Sequence, residues 1–324
     1  LPLGARARWV PERLAVVTAD GTLTYGVLHE RAEKLSNVLA KRDVGRGARV
    51  GVQSKNRLEL VVLMHALSLR GAILVALHPR LAPSEAKALA KRAQCDLVVL
   101  EEPDAWEGAR VEGLGELLRE EAPPVSHETH LELGAPMGVL FTSGTTGDPK
   151  MAVLTWQNVL FSAMGSAMRL GHEPEDAWLN VLPMCHVSGL SILVRCAMLG
   201  TTMVLPERWD PEVVAERMVQ GEVTLVSLVS KQLQAVLGAL RGRSVSPRFR
   251  AVLLVGGAIP PSLLEQAQDS GVPVSSTYGM TEAGSQVATV APEARGPFDS
   301  AGVPLVWTEV HLEGEGFEGE VLVR

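Results

Sequence analysis

Short runs of branched apolar residues alternate with helical patterns along most of the chain, and this alternation restricts the fold more than any other feature. Residues 25–42, for example, repeat apolar side chains at helical spacing. The predicted strands are "ARVGVQS" (48–54), "CDLVVLEE" (95–102), "MGVLFTS" (137–143), "AWLNVLPM" (177–184), "TTMVLPE" (201–207), "VTLVSLV" (223–229), "FRAVLLVGGA" (249–258) and "VPVSSTYG" (272–279). Such alternation predicts an α/β fold, in which mainly parallel sheets are covered by helices.

Capping residues predict where three of the helices start. Asp210 precedes Pro211, which is the pattern of an N-cap followed by the first helical position. Ser230 and Ser262 are predicted N-caps of two later helices, because a serine hydroxyl can accept from the free N–H groups of a first turn.

Charge and composition favour a globular protein that acts on small molecules. The 324 residues are 46% apolar, enough to fill a sizeable core, and the formal net charge of −7 disfavours nucleic-acid partners. No basic amphipathic helix, membrane-spanning run or apolar signal region is found in the sequence. Cys95, Cys185 and Cys196 lack the spacing of a zinc site. We therefore predict a cytoplasmic protein with reduced thiols and no membrane span, for which a homodimer stays open.

The stretch "FTSGTTGDPK" (141–150) has the parts of a phosphate-binding loop. Its glycines allow backbone N–H groups to approach a ligand, its hydroxyls add donors, and Lys150 adds a positive charge. A P-loop needs four residues between its glycines and Ser or Thr after the lysine. Here two residues separate Gly144 from Gly147, Met151 follows the lysine, and "MAVLTW" is strand-like. The loop is therefore predicted to join two strands, and an ordinary polar hairpin turn is the alternative.

Two later segments also carry groups suited to a nucleotide. In "STYGMTEAGSQ" (276–286), Tyr278 can stack on a base, Thr281 can donate to a phosphate and Glu282 can hold Mg²⁺. "LLVGGAIPP" (253–261) ends a predicted strand in two glycines, as expected where a backbone approaches a flat ligand. Each segment alone is also compatible with a simple strand-to-helix turn.

Two single residues are further candidates. His186 follows a predicted strand, where a histidine is more often a hydrogen-bonded core residue than a catalyst. A nucleophilic pair with Cys185 is rejected, because adjacent residues of a strand point to opposite faces. Arg195 lies in the apolar stretch "GLSILVRCAML" and needs an acceptor. That acceptor is a substrate carboxylate, a structural Asp or Glu, or solvent.

Together these motifs resemble the adenylate-forming superfamily of acyl- and aryl-CoA ligases, adenylation domains and luciferases, over essentially the whole chain. "TSGTTGDPK" resembles the phosphate-loop signature of that superfamily, and "STYGMTEAGSQ" resembles its adenine and magnesium motif. Within it, residues 176–205 and "SAGVPL" are similar to the o-succinylbenzoate–CoA ligases of menaquinone biosynthesis.

The resemblance implies a two-step reaction that uses ATP, Mg²⁺ and coenzyme A. A carboxylate attacks the α-phosphorus of ATP and releases pyrophosphate, after which the thiol of coenzyme A displaces AMP. The implied catalytic residues are Lys150, His186, Thr281 and the metal ligand Glu282. The implied cofactor-binding residues are Thr142, Ser143, Gly144, Thr145, Thr146, Gly147, Lys150, Gly256, Gly257, Ala258, Ser276, Thr277, Tyr278, Gly279, Met280 and Thr281. The implied substrate-binding residues are His186, Ser188, Arg195, Gly257, Thr281, Ser285 and Gln286.

The resemblance also implies a domain organisation. Residues 1–128 form a first β-α subdomain, residues 129–290 a second with the phosphate loop and adenylate pocket, and residues 291–324 the β-rich end of a large domain. In the superfamily a TGD motif and a mobile C-terminal domain follow the strand that resembles "GEVLVR"; no TGD occurs here, so we expect that domain to lie outside this chain. The alternatives are another aryl- or fatty-acid–CoA ligase, or a non-catalytic protein that binds a nucleotide or acyl-adenylate.

Overall fold

The computed structural model describes residues 2–103, 106, 108–127, 130–142, 148–294, 300–314 and 319–324. The α-helices are α1 (Pro2–Trp9), α2 (Tyr25–Ala40), α3 (Leu58–Arg70), α4 (Pro83–Arg92), α5 (Leu114–Arg119), α6 (Trp156–Leu170), α7 (Val187–Leu199), α8 (Pro211–Gln220), α9 (Ser230–Leu240) and α10 (Pro261–Asp269). The strands are β1 (Leu14–Thr18), β2 (Gly21–Thr24), β3 (Arg49–Gln53), β4 (Ile73–Leu77), β5 (Leu97–Leu100), β6 (Val111–Gly113), β7 (Pro136–Thr142), β8 (Lys150–Thr155), β9 (Ala177–Leu179), β10 (Thr202–Val204), β11 (Leu225–Leu228), β12 (Ala251–Leu254), β13 (Val274–Met280), β14 (Ser285–Thr289), β15 (Val303–Pro304), β16 (Val310–Glu313) and β17 (Glu320–Val323).

The first sheet has six strands in the order β6-β5-β3-β4-β7-β8. All its neighbouring strands are parallel except β7 and β8, which form an antiparallel pair at one edge. The central strand β4 is buried along its whole length, as expected for a parallel strand covered on both faces.

The second sheet has nine strands in the order β15-β14-β13-β12-β11-β9-β10-β1-β2. Its six strands from β13 to β1 are parallel, while β2, β14 and β15 pair antiparallel at the two edges. Both sheets draw strands from both sides of residue 128. The predicted domain bounds at 128 and 290 therefore stay a prediction.

A small antiparallel sheet of β16 and β17 closes the described chain. The predicted fold class, mainly parallel β-α layers with a smaller β unit at the C-terminal end, is confirmed. The largest core cluster lies between the two large sheets and includes apolar residues of α2, α3 and α7. Among the described residues, none of the helices combines the length and apolar character needed to cross a membrane.

Each of the eight predicted strands overlaps a strand of the structure, and α2 occupies most of the predicted helix at 25–42. Most of the predicted strands are longer than the observed ones, and the excess at the C-terminal end is largest for one of them. "AWLNVLPM" was expected to extend to residue 184, but β9 ends at Leu179. The Asn180 side chain accepts from the Leu182 N–H and donates to the Gly189 carbonyl, so local bonds hold the following residues in a turn.

One of the three predicted N-caps is confirmed. The Asp210 carboxylate accepts from the Glu212 N–H at 3.0 Å, and α8 begins at the next residue, a proline. The other two are wrong. Helix α9 begins at Ser230 itself, after Val229, whose N–H donates to Gln232. Helix α10 begins at Pro261, because a proline lacks the N–H that a first helical position leaves unpaired, so Ser262 lies inside the first turn.

Candidate functional site

Four loops meet at one edge of the nine-stranded sheet. Strands β9, β11, β12 and β13 are parallel neighbours, so their carboxyl ends lie at the same edge. The segments that follow them are residues 180–186, the start of α9 at Ser230, residues 255–260, and Thr281–Ala283. A carboxyl edge of a parallel sheet is where ligands bind in such folds.

The carboxyl edge of the six-stranded sheet meets the same loops. Asn56, three residues beyond β3, donates to the Leu182 carbonyl at 2.7 Å and accepts from the Met184 N–H at 2.9 Å. His78 directly follows β4, and its ring centroid lies 5.3 Å from that of His186. The two edges therefore form one continuous site, to which residues from both halves of the chain contribute.

The predicted phosphate loop joins two strands, as expected. Thr142 at the end of β7 lies opposite Lys150 at the start of β8. Ser143, Gly144, Thr145, Thr146 and Gly147 lie outside the described residues, so their predicted roles stay predictions. Lys150 is exposed, and within the described part of the chain no ion pair holds its ammonium. Strand β8, which Lys150 begins, also contacts the short helix Thr281–Ala283, which carries Glu282.

The end of β13 and the turn that follows it present a ring and a carboxylate to solvent. Tyr278 is 39% exposed and lies at an irregularity of the β13–β14 pair. A Cβ added at Gly279 would collide with the Ser285 carbonyl, so this position requires glycine. Thr281 and Glu282 follow in a single 3-10 turn, with Thr281 half-buried and Glu282 exposed. The predicted adenine and magnesium residues are therefore adjacent to each other and accessible, and Met280 before them is half-buried.

Ser276 and Thr277 have a different position from the residues after them. Both are buried, and their hydroxyls bond within the fold, to the Ser300 carbonyl at 3.2 Å and to the Ala288 carbonyl at 2.7 Å. Any contact that they make to a nucleotide would come from the main chain.

The segment after β12 is open. Gly256 and Gly257 have φ values of +89° and +145°, which favour glycine. A Cβ at Gly257 would meet nothing within 4 Å, whereas one at Gly256 would meet Val229 at 3.2 Å. The Ala258 carbonyl accepts from the Ser230 hydroxyl at 3.4 Å. The exposed backbone here offers a flat surface at the predicted adenine position.

His186 is the N-cap residue of α7 and is exposed. Partial burial of the ring, with a smaller effect of His78, lowers the pKa of His186 below its usual value. The imidazole is therefore neutral near pH 7 and can both accept and donate a proton. The sequence analysis placed Cys185 and His186 on opposite faces of a strand, which is wrong. Neither residue lies in a strand, and their Sγ and ring nitrogen atoms lie on the same side.

Arg195 is 1% exposed, in the middle of α7. Its Nη2 donates to the Ser285 hydroxyl at 3.3 Å, its Cζ lies 5.1 Å from the Trp178 ring centroid, and its Nε has no partner. Burial lowers the pKa of Arg195 to about 10, so the group stays charged at pH 7. Within the described residues no carboxylate pairs with it, which disfavours the structural ion pair considered as one alternative. Its burial disfavours the solvent alternative.

Of the other predicted substrate residues, Ser285 contacts Arg195 directly, and Ser188 is linked to Ser285 through Ser191. Ser285 is buried and also donates to the Ser191 hydroxyl at 3.4 Å. The Gln286 amide donates to Thr289 at 2.8 Å while its Oε1 has no partner. Ser188 lies in the first turn of α7, and its carbonyl accepts from the Ser191 hydroxyl at 3.0 Å. A buried cation that is bonded to the Ser285 hydroxyl, with the Ser191 hydroxyl next to it, is suited to a polar end of a ligand.

The sequence analysis missed four residues of this site, Asn56, His78, Trp178 and Ser191. A signal was available for His78, which directly follows the wholly apolar run Ile73–Leu77. No local pattern indicated that Trp178 would contact Arg195 or that Ser191 would contact Ser285. These contacts join β9, α7 and β14 only in the folded chain.

Known proteins are similar to this chain in sequence and in fold. A 2-succinylbenzoate–CoA ligase of Bacillus anthracis is 34% identical over 329 residues, an alignment that covers 99% of this chain and 68% of the relative. The o-succinylbenzoate–CoA synthetase of Bacillus subtilis, solved with its acyl-adenylate intermediate, matches with a TM-score of 0.92 and 32% identity, over 100% of this chain and 69% of that one. The same synthetase, solved with ATP and a magnesium ion, matches with a TM-score of 0.91 and 32% identity, over 100% and 70% of the two chains.

A family model extends these likenesses to almost every residue. The model described as AMP-binding enzyme matches residues 3–324, which include both large sheets and all the loops at their carboxyl edges. The chain therefore belongs to the AMP-binding enzyme family.

Proposed function

We propose that this protein activates o-succinylbenzoate for transfer to coenzyme A, in the pathway that makes menaquinone. In the first step a carboxylate oxygen bonds to the α-phosphorus of ATP, and pyrophosphate leaves. In the second step the sulfur of coenzyme A bonds to the acyl carbon, AMP leaves, and the thiol proton is released. The solved synthetase with bound acyl-adenylate supports this assignment, at 32% identity over the whole chain.

The buried guanidinium of Arg195 is the observation that carries the substrate. An uncompensated buried charge costs several kcal/mol, and a ligand carboxylate would offset that cost. o-Succinylbenzoate has two carboxylates. One reacts, and the other can pair with Arg195 while the Ser191 and Ser285 hydroxyls lie beside it. A fatty acid or simple benzoate would leave the arginine unpaired, so the diacid fits this pocket better than the alternatives.

The other proposed roles rest on the family resemblance and, for the described residues, on the positions given above. Lys150 and the hydroxyls of 142–147 bind the phosphates, Tyr278 stacks on adenine, and residues 256–258 form the surface beside it. Thr281 donates to the α-phosphate, and His186 lies where the carboxylate and the nucleotide meet. Glu282 has the exposed carboxylate that a hard cation prefers. Mg²⁺ held there would neutralise phosphate charge as pyrophosphate leaves.

Lys150→Ala and Thr146→Val are each expected to weaken ATP binding about tenfold or more. Each substitution removes a donor to charged phosphate oxygens, and such a bond contributes roughly 1.5–3 kcal/mol. Isothermal titration with Mg-ATP measures the change, and Lys91→Ala, an exposed lysine at the end of α4, is the matched control. Unchanged ATP affinity in both site variants would contradict the phosphate-loop assignment.

ATP–pyrophosphate exchange tests the proposed reaction directly. Exchange that depends on o-succinylbenzoate, and that benzoate or a fatty acid stimulates less, is the expected result. Exchange with another acid alone would assign a different ligase. ATP binding without exchange for any acid would favour the non-catalytic alternative. A cytoplasmic location and a homodimer stay predictions, and sedimentation velocity checks the second.

A further inference from the structure

Three metal-binding side chains converge where the two sheets meet. One donor atom each of His78, Cys185 and His186 lies within 4.8 Å of the other two. His78 follows β4 of one sheet, while the other two residues end the turn that follows β9 of the second sheet. Among the described residues, this is the one group of three or more such side chains placed close enough for a shared ion.

The chemistry of the donors selects the type of ion. Two imidazoles and a thiolate are ligands of Zn²⁺, whereas Mg²⁺ and Ca²⁺ prefer oxygen. Zn–N distances near 2.1 Å and Zn–S distances near 2.3 Å place the ligand atoms of a tetrahedral N₂S site about 3.4–3.6 Å apart. The three donors therefore need to approach by about 1 Å, which side-chain rotation can supply because His186 is exposed and His78 is half-buried.

These three side chains make few hydrogen bonds within the fold. Neither the Cys185 thiol nor the His186 ring has a side-chain hydrogen bond within the described residues, and the two rings touch only at a 48° tilt. The Nδ1 atom of His78 accepts from the Arg80 N–H at 3.1 Å. Metal binding through either nitrogen of His78 would end that bond, but Arg80 is exposed and its N–H can turn to water. Few bonds of the fold are therefore lost when the site forms. Burial raises the pKa of the Cys185 thiol to about 12, so the ion must displace its proton on binding.

We propose that His78, Cys185 and His186 bind Zn²⁺, and that the bound ion excludes the acyl-adenylate from the site. The metal site itself needs only the three side chains, whereas the exclusion rests on the proposed function, in which His186 contacts the reacting groups. Three protein ligands leave a fourth position open to water or another small ligand. Zinc here would act as a reversible inhibitor that uses a catalytic residue as its ligand.

Cobalt titration of the tag-free protein tests the site without any assay of activity. A Co²⁺–thiolate bond gives a near-ultraviolet charge-transfer band, and tetrahedral Co²⁺ gives visible bands that Zn²⁺ should abolish at one equivalent. Cys185→Ser should remove the charge-transfer band, and Cys185→Ser and His78→Asn should each weaken zinc binding at least about tenfold. Cys95→Ser removes a half-buried thiol that lies just before β5 of the six-stranded sheet. It is the matched control and should bind zinc as the parent protein does. Thermal melts establish that each variant is folded.

The outcomes separate the site from the function. Absence of the thiolate band in the parent protein, or its persistence in folded Cys185→Ser, overturns the zinc site. Zinc binding that leaves the affinity for an acyl-sulfamate analogue of the adenylate unchanged overturns the exclusion. If the zinc-free protein fails to bind the analogue at all, the proposed function and the exclusion fail together, while the cobalt spectrum still decides the site.

Discussion

Replacing Arg195 with leucine is expected to weaken binding of an o-succinylbenzoyl-adenylate analogue by about 100-fold or more. Removing one partner of a buried charge pair costs about 2–5 kcal/mol, because the remaining charge is left desolvated and unpaired. Arg195 is 1% exposed and would be the partner of the distal carboxylate. Isothermal titration with the acyl-sulfamate analogue measures the loss. A benzoyl analogue, which lacks the distal carboxylate, should lose much less.

The free protein is expected to respond in the opposite direction. Within the described residues Arg195 has no carboxylate partner, so its burial destabilises the ligand-free fold. Arg195→Met, which keeps a long side chain and removes the charge, should raise the free energy of unfolding by about 1–3 kcal/mol. Urea unfolding measures this gain, and Arg195→Lys, which keeps the charge, should show none.

A structural arginine would give the reverse pattern. Equal losses of both analogues in Arg195→Leu, together with a lower stability of Arg195→Met, would show that the guanidinium supports the fold and not the substrate. The Trp178 ring fits the binding role. It lies 5.1 Å from the guanidinium and its own N–H donates to Ser227 at 3.0 Å, so the ring holds the cation in place without neutralising it.

The sequence predicted the parts of the fold that depend on local periodicity. Eight strands and α2 could be predicted because apolar runs and helical spacing are visible within short stretches of the sequence. The sheet edge could also be inferred, since parallel strands place their following loops together. The contacts of Asn56 and His78 that join the two sheets could not be predicted. They depend on packing between distant parts of the chain, for which no local sequence pattern exists.

The wrong predictions also came from reading local sequence patterns. Ser230 and Ser262 are good capping residues, yet α9 starts one residue earlier than a cap at Ser230 requires, and two prolines fix the start of α10. The apolar residues after β9 have strand composition, but the Asn180 side chain holds them in a turn. That turn brings Cys185 and His186 together, which alternation along a strand would have prevented.

Gly189→Ala is expected to lower the free energy of unfolding by about 3 kcal/mol or more. A Cβ at this position in α7 would lie 2.5 Å from the Leu182 carbonyl oxygen and would also collide with the Pro183 carbonyl. Both obstacles are backbone atoms, so no side-chain rotation relieves them, and overpacking of this kind is destabilising. The turn must move away from α7, and His186 moves with it. Urea unfolding measures the loss of stability, and binding of the acyl-sulfamate analogue measures the displacement of the site.

Gly238→Ala is the matched control, because Gly238 is also in a helix, α9, and a Cβ there would meet nothing within 4 Å. It should be neutral or stabilise the protein by up to about 1 kcal/mol, since alanine favours a helix over glycine. If Gly189→Ala unfolds at the same urea concentration as Gly238→Ala, the turn does not pack against α7 as described. If Gly189→Ala unfolds at a lower urea concentration but binds the analogue normally, the turn does pack closely against α7, and the position of His186 does not depend on that packing.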